Sequence, residues 1–371
     1  MNKIALITGG AGFIGSHLAD ELLAHGYRVR ILDRLLEQVH GECTRPAYLN
    51  PKVELIEGDI CDPNLVRYAC AGVDMVYHMA ARVGVGQSMY DIVNYTHTNN
   101  LGTAVLLEEL IERPVERLVV ASSMSIYGEG LYQRADGSLV VGRERTLEQL
   151  KAGQWELQDD DGSPLTPVPT PETKTPALAS VYALSKYDQE RLCLIVGRAY
   201  NNPTVAVRFF NVYGTRQSLS NPYTGVLAIF ASRLLNNHAP LIYEDGKQQR
   251  DFVHVSDLAR GCRLAAETPE AAYEVFNIGS GEAYTVLEIA EQMATVLGKT
   301  HLIPQLVGKY RVGDIRHCFA DISKARRVLG YEPQISLSTG IRNLTTWLEG
   351  QIAVDQVEQA NVELEKRGLT V

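Results

Sequence analysis

Thr8-Gly9-Gly10-Ala11-Gly12-Phe13-Ile14-Gly15 follows a short apolar run at residues 4–7 and opens a helically periodic stretch, 13–25, that stops at Gly26. Strand, glycine turn and helix in that order make a cradle for a dinucleotide pyrophosphate. The turn needs backbone freedom, and the phosphates need close approach to the free amides of a helix N-terminus. Gly9, Gly12 and Gly15 are the cradle glycines, with Phe13 and Ile14 beside them. Asp33 closes the next apolar run, 28–32, where an acid can bond both hydroxyls of an adenosine ribose. A carboxylate there repels a 2′-phosphate, which favours NAD over NADP. Arg34 dissents, because an arginine at that place can receive the phosphate.

Outward from this stretch the pattern repeats. Runs at 53–57, 74–78 and 117–121 read as further strands, and 101–112 as a helix stopped by Pro114. Such alternation gives parallel βαβ units with helices on both faces. The expected fold class is α/β, a Rossmann-type doubly wound parallel sheet with a smaller C-terminal α/β substrate lobe. Ligands of such sheets sit at the carboxyl ends of the strands. Asp59 and Ile60 fall there and are expected to meet the adenine, with Asp59 alternatively a helix cap in competition with Asp62. Met79, Ala80 and Ala81 follow the fourth strand and are small enough to let the cofactor pass, whereas His78 reads as a core histidine.

The expected division is an NAD-binding domain at 1–207, a lobe mainly for substrate at 208–350 and a polar tail at 351–371, helical or frayed. Residues 181–199 are the catalytic helix of the first domain. Residues 129–175 are a Pro-rich insertion carrying Pro164, Pro167, Pro169 and Pro171. It reads as irregular, and either covers the active site or is a solvated excursion.

The chain has 371 residues, 45% of them hydrophobic, which suffices for a full core. A net charge of -9 argues against a nucleic-acid groove, which needs clustered Lys and Arg. No apolar stretch approaches the roughly 18 residues of a membrane span. None of the six cysteines forms a Cys-x-x-Cys pair, so neither a metal site nor a disulfide framework is expected. Reduced thiols suit a cytoplasmic enzyme.

Tyr182-Ala183-Leu184-Ser185-Lys186 sets a phenol and an ammonium one helical turn apart on one face. A tyrosine base near neutrality needs its pKa lowered from about 10, and nearby positive charge does that. Lys186 can supply such charge and also bond the nicotinamide ribose, so Tyr182 and Lys186 count as both catalytic and cofactor-binding. Ser123, at the end of the fifth strand, can hold a substrate oxygen beside the phenol, with Ser122 the neighbour to be distinguished from it. The spacing alone is common. Combined with the glycine cradle it points to hydride chemistry on an alcohol or ketone.

Taken together these residues resemble the extended short-chain dehydrogenase/reductase superfamily, and within it the nucleotide-sugar epimerases and dehydratases. Further stretches carry the resemblance: Asn99 before Gly102-Thr103, Ser122-Ser123-Met124-Ser125-Ile126-Tyr127-Gly128, Arg208-Phe209-Phe210-Asn211-Val212-Tyr213-Gly214, Arg250-Asp251-Phe252-Val253-His254 and Arg311-Val312-Gly313-Asp314. The family implies a cofactor contact for Asn99 and Phe209. It implies a diphosphate clamp for Asn211, Arg250 and Arg311, and a nucleotide-ribose contact for Asp314. A guanidinium fork matches phosphate oxygens.

The family's 4,6-dehydratases carry Asp-Glu immediately after the catalytic hydroxyl residue. Here Met124-Ser125 stands in that place, and neither can expel water. NAD-dependent 4-epimerisation of a nucleotide-diphosphate sugar through a 4-keto sugar fits best. Epimerisation at C3 or C5 needs a further acid/base pair, and none is evident. The bacterial dTDP-L-rhamnose 4-epimerases are similar at Val83-Gly84-Val85-Gly86-Gln87-Ser88-Met89-Tyr90, at 123–132 and along the insertion. Gln87 and Ser88 then either face the hexose or order their loop, and Ser125 joins Ser123 at the substrate. A UDP-hexose or UDP-uronate 4-epimerase and a 4-ketoreductase are the alternatives. A catalytically dead sensor is disfavoured by the retention of Ser123, Tyr182 and Lys186. The family further implies a homodimer through paired helices.

Overall fold

The computed structural model describes residues 3–41, 43–219, 225–311, 314–348, 355 and 357–370. Seven strands form its central sheet: β1 Ile4–Thr8, β2 Arg28–Asp33, β3 Glu54–Glu57, β4 Met75–His78, β5 Arg117–Ser123, β6 Thr204–Phe209 and β7 Val275–Ile278. Every pairing is parallel, in the order β7-β6-β5-β4-β1-β2-β3. The order reverses between β1 and β4, which opens the ligand crevice of a doubly wound sheet.

Strand alternation sorts the core into two faces. Ala5 and Ile7 of β1 pack with Leu18 and Leu22 of helix α1, Phe13–Ala24. Leu6 packs the other way, with Leu106 and Leu110 of α2, Gly102–Glu112. Both leucines of α2 are fully buried. Truncating either to alanine would cost about 3 kcal/mol. The helix α3, Val181–Ala199, lies against β5, and α4, Val255–Glu267, packs on α1. The sheet therefore takes β7 and α4 from chain beyond residue 208, interleaved with a second core in which Leu227, Phe230, Ile289, Met293, Ile341 and Leu344 meet.

The insertion is more regular than its prolines suggest. Strands Leu131–Gln133, Leu139–Val141 and Thr166–Val168 make an antiparallel sheet with Leu131–Gln133 in the middle. Pro167 sits on an edge strand, where a missing amide is tolerated. Tyr132, Leu157 and Leu165 form a small core under it. The expected polar tail is described at 355 and 357–370 and carries the helix α5, Val357–Lys366, with Val357, Ala360 and Leu364 buried. No helix among the described residues is long and apolar enough to cross a membrane.

Candidate active site

The glycine turn is shaped by contacts that leave no room for side chains. Gly9 has φ +69, and a Cβ there would lie 2.7 Å from Ala80 Cα. A Cβ on Gly15 would lie 2.5 Å from Gly10 Cα. The N-terminus of α1 is capped by Gly12 without a side-chain hydrogen bond, so its first amides remain available to an anion.

A cavity of about 330 Å³ runs along the carboxyl ends of the strands. Its lining includes Gly9, Gly12, Phe13, Ile14, Gly15, Asp33, Arg34, Asp59, Ile60, Met79, Ala80, Ala81, Phe209, Ser123, Tyr182 and Lys186. From β3 to β5 the sheet crosses four interstrand steps, about 19 Å in all, a span suited to an extended dinucleotide. Of the expected cofactor residues only Asn99 is missing from the lining. It is wholly buried, accepts from the Arg82 amide at 2.7 Å and donates to the Arg82 carbonyl at 3.1 Å and to Ser185 Oγ at 2.9 Å. Its bonds brace the loop after β4 against α3, so Asn99 shapes the cavity from behind.

Asp33 uses one oxygen for the Ala11 amide and the other for the Leu35 amide, each at 2.9 Å. Each oxygen keeps a further acceptor site for a hydroxyl. Arg34 faces Asp59 at 3.0 Å, which pairs the one cation expected to favour a 2′-phosphate. Asp62, not Asp59, caps the following helix, Pro63–Ala69.

Ser123 ends β5, where alternation turns Ser122 to the opposite face. Ser122 donates to Glu190 at 2.7 Å, whose carboxylate also holds Arg208 at 2.7 and 2.9 Å. Ser123 Oγ instead accepts from the Ser125 hydroxyl at 2.8 Å and faces the cavity. Burial raises the Tyr182 phenol above its ordinary value, and the Ser123 hydroxyl draws it down. Burial pushes Lys186 down to about 7. The ammonium expected to lower the phenol is thus itself weakened by the same dry environment.

Several groups that hold this pair carry no motif. Lys186 Nζ donates to Gln189 Oε1 at 2.7 Å, and Gln189 Nε2 donates to Thr103 at 2.9 Å. Thr103 and Thr8 bracket His78, each at 2.8 Å. His78 is a core histidine, held by burial at about 3. A buried polar chain therefore links the end of β1 to Lys186. Only the helical spacing of Gln189 from Lys186 signals it in sequence.

The expected substrate residues lie outside the cofactor cavity, apart from Ser123. Ser88 is wholly buried; its hydroxyl donates to Val85 at 2.6 Å and accepts from the Tyr182 amide at 3.0 Å. It orders its loop and tethers the start of α3. Gln87 accepts from Gln38 at 3.1 Å. Asn211 Oδ1 is buried with no protein hydrogen-bond partner. Arg250 donates to the carbonyls of Gln249 and Arg316 at 2.9 Å and to that of Ile315. Three of its five N–H groups are so engaged. Arg311 lies 4.3 Å over the Tyr243 ring with Nε buried and unpartnered. Asp314 carboxylate sits 4.0 Å from Arg250. Val312 and Gly313 of the same motif lie outside the described residues.

The C-terminal segment closes this region from outside. Asn361 of α5 accepts from the Tyr243 hydroxyl at 2.9 Å, Arg367 stacks 4.3 Å over Tyr90, and Thr370 pairs with Arg311 through backbone. Among the described residues, no group of three His, Cys, Asp or Glu could hold a metal ion.

A model of the NAD dependent epimerase/dehydratase family matches residues 5–149 and 158–279, breaking only within the insertion. The chain is 35% identical to a dTDP-L-rhamnose 4-epimerase of Burkholderia thailandensis, over 94% of this chain and 96% of that protein. The UDP-glucose 4-epimerase of Thermotoga maritima, solved with UDP-glucose, superposes with a TM-score of 0.75 at 30% identity, covering 93% of this chain and 98% of that one. The UDP-glucose 4-epimerase of Thermus thermophilus, solved in complex with NAD, gives a TM-score of 0.73 at 30% identity over 94% and 100%.

Proposed function

The chain belongs to the NAD dependent epimerase/dehydratase family, and on that footing we propose that it is a 4-epimerase interconverting dTDP-L-rhamnose and dTDP-6-deoxy-L-talose. NAD is its cofactor. One observation carries the reading: Ser123, Tyr182 and Lys186 border one cavity, while the two residues after Ser123 bring no carboxylate to it. Met124 is buried and Ser125 donates to Ser123. Elimination of water across C5–C6 therefore lacks its acid and base.

When bound, NAD supplies reversible hydride transfer at C4 and a positive ring beside Tyr182. As phenolate, Tyr182 removes the proton of the 4-hydroxyl, with Ser123 holding the substrate oxygen beside it. Lys186, at about 7, shares its proton readily near neutrality and steadies the phenolate. Arg250, Arg311 and Asn211 keep the diphosphate bound while the 4-keto sugar turns its other face. Tyr182 then returns the proton.

A UDP-hexose or UDP-uronate substrate is the second reading, favoured by the fold match to a UDP-glucose 4-epimerase holding UDP-glucose. We place the protein in the cytoplasm, supported by six free cysteines. A homodimer is supported by the exposed Leu101 just before α2 and the exposed Leu184, Leu192 and Ile195 along α3.

The test is to incubate purified protein with dTDP-L-rhamnose and no added cofactor, following C4 by proton NMR. Conversion to the talose epimer is expected. No conversion, with NAD still released on denaturation, would move the substrate to the UDP sugars. A requirement for stoichiometric NAD(P)H would replace epimerisation by reduction.

A further inference from the structure

The diphosphate-end candidates converge on one short piece of backbone. Arg250 donates to the carbonyls of Ile315 and Arg316, and the Asp314 amide donates to the Arg311 carbonyl at 3.2 Å. What fixes that backbone comes from the insertion. The Arg145 side chain is 3% exposed; Nη2 donates to the Asp314 carbonyl at 3.1 Å and Nη1 lies 2.8 Å from Glu244. Its Nε lies 3.8 Å from Glu129, and Nη1 also donates to the Trp155 carbonyl at 3.3 Å. Behind it the wholly buried Arg316 donates to Glu244 at 2.8 Å, to Asp245 at 2.7 Å and to Glu156 of the insertion.

Glu244 holds the two arginines together at a backbone cost. Its φ is +54, the left-handed region that a non-glycine residue occupies only where its surroundings impose it. Buried ion pairs contribute little net stability, because desolvation offsets their attraction, but they fix geometry. A strained, buried, charged junction under three ligand candidates therefore reads as a registry device.

We propose that Arg145 is a positioning residue for the diphosphate end of the nucleotide sugar, acting through the Asp314 carbonyl, and that the 129–175 insertion is a substrate-affinity element rather than an active-site cover. The proposal rests on the nucleotide-sugar reading above. Arg145 touches no substrate. It sets where Asp314, Arg311 and Arg250 stand.

The probes are dTDP and UDP, which carry the diphosphate without a sugar. Each is titrated by calorimetry into the NAD-loaded wild type and into Arg145→Lys, Arg145→Ala and Glu156→Gln, with bound NAD and Tm recorded. Wild type is expected to bind at least one probe. Arg145→Lys weakens Kd about 10-fold and Arg145→Ala more, in the range of lost supporting-shell contacts. Millimolar guanidinium restores part of the loss in Arg145→Ala, bound NAD is unchanged, and kcat at saturating substrate holds while KM rises. A variant with lowered Tm but wild-type Kd would overturn the proposal, since that is what a merely structural arginine does. Should Arg145→Ala not fold, Arg145→Lys and Glu156→Gln decide on the same criterion. If the wild type binds neither probe, the nucleotide-sugar reading falls, and this proposal with it.

Discussion

At the cofactor end the cavity is shaped by backbone: the Gly9 turn against Ala80, Gly15 against Gly10, and the free amides that open α1. Around the proposed diphosphate site, outside that cavity, charge does the shaping: Glu129, Arg145 and Glu156 of the insertion meet Glu244, Asp245 and Arg316 from the other lobe. The first is made by main chain, within the turn itself and against the loop after β4. The second joins side chains of two lobes, as far apart in sequence as Glu156 and Arg316. A backbone cradle is intolerant of a single methyl group but indifferent to charge. A buried charge network tolerates shape changes and fails when one partner is removed.

The largest test lies where the two ends meet. Tyr182→Phe keeps the ring and removes the proton carrier, so turnover should fall about 10³-fold with bound NAD unchanged, measured by NMR and by NAD release. A variant that still turned over substrate would sink the mechanism.

Next comes the substrate end. Arg316→Met leaves the Glu244, Asp245 and Glu156 carboxylates short of a partner, and stability should drop by about 3–5 kcal/mol in urea unfolding. NAD retention in the folded fraction should be unaffected. Loss of NAD there would show that the two ends are not separately held. The reverse case is Gly9→Ala, whose Cβ meets Ala80 backbone in a left-handed conformation. It should cost about 2 kcal/mol or more and strip the protein of NAD. Full NAD occupancy would refute a backbone-built cradle.

The smallest effect is one of pH. Burial holds His78 at about 3 in the fold against 6.5 for the free side chain. Below pH 6.5 the unfolded chain therefore binds a proton the fold refuses, and stability falls as pH falls towards 3. Between pH 7.5 and 5 the loss should be about 2 kcal/mol from this residue. A flat urea midpoint over that range would place a charge-accepting path to His78 that its two threonines do not offer.

The same contrast governs what could be read from the chain. Five of the seven strands of the sheet stand out as apolar runs, β6 and β7 not among them, and the glycine turn, Asp33, Ser123, Tyr182 and Lys186 fall where spacing puts them. Local rules suffice there, because strand, turn and helix are adjacent in sequence. For Ser88 loop ordering is one of the two roles its position suggests, and the bonds of Ser88 and Asn99 support α3 and the loop after β4. Helical spacing sets Gln189 near Lys186, but nothing in periodicity shows that Glu190 takes Ser122. These bonds depend on how α3 rolls against β5. The insertion misled through its prolines, which mark irregular chain on average but are admitted at the edge of a small sheet. Its partners in the far lobe are invisible in sequence, since a charge network carries no period. The docking of α5 near Arg311 is hidden for the same reason.

Arg316 has a consequence for anyone exchanging parts between relatives. Its guanidinium is shared property: Glu244 and Asp245 come from one lobe, and Glu156 from a segment that the family pattern interrupts. A chimera that trims the insertion to a short loop would take Glu156 from Arg316 and Arg145 from Glu244, and a graft of the insertion onto a shorter relative would import unmatched acids. The exchangeable module is therefore not a loop but a discontinuous set, the insertion together with Glu244, Asp245 and Arg316, and it transfers whole or not at all.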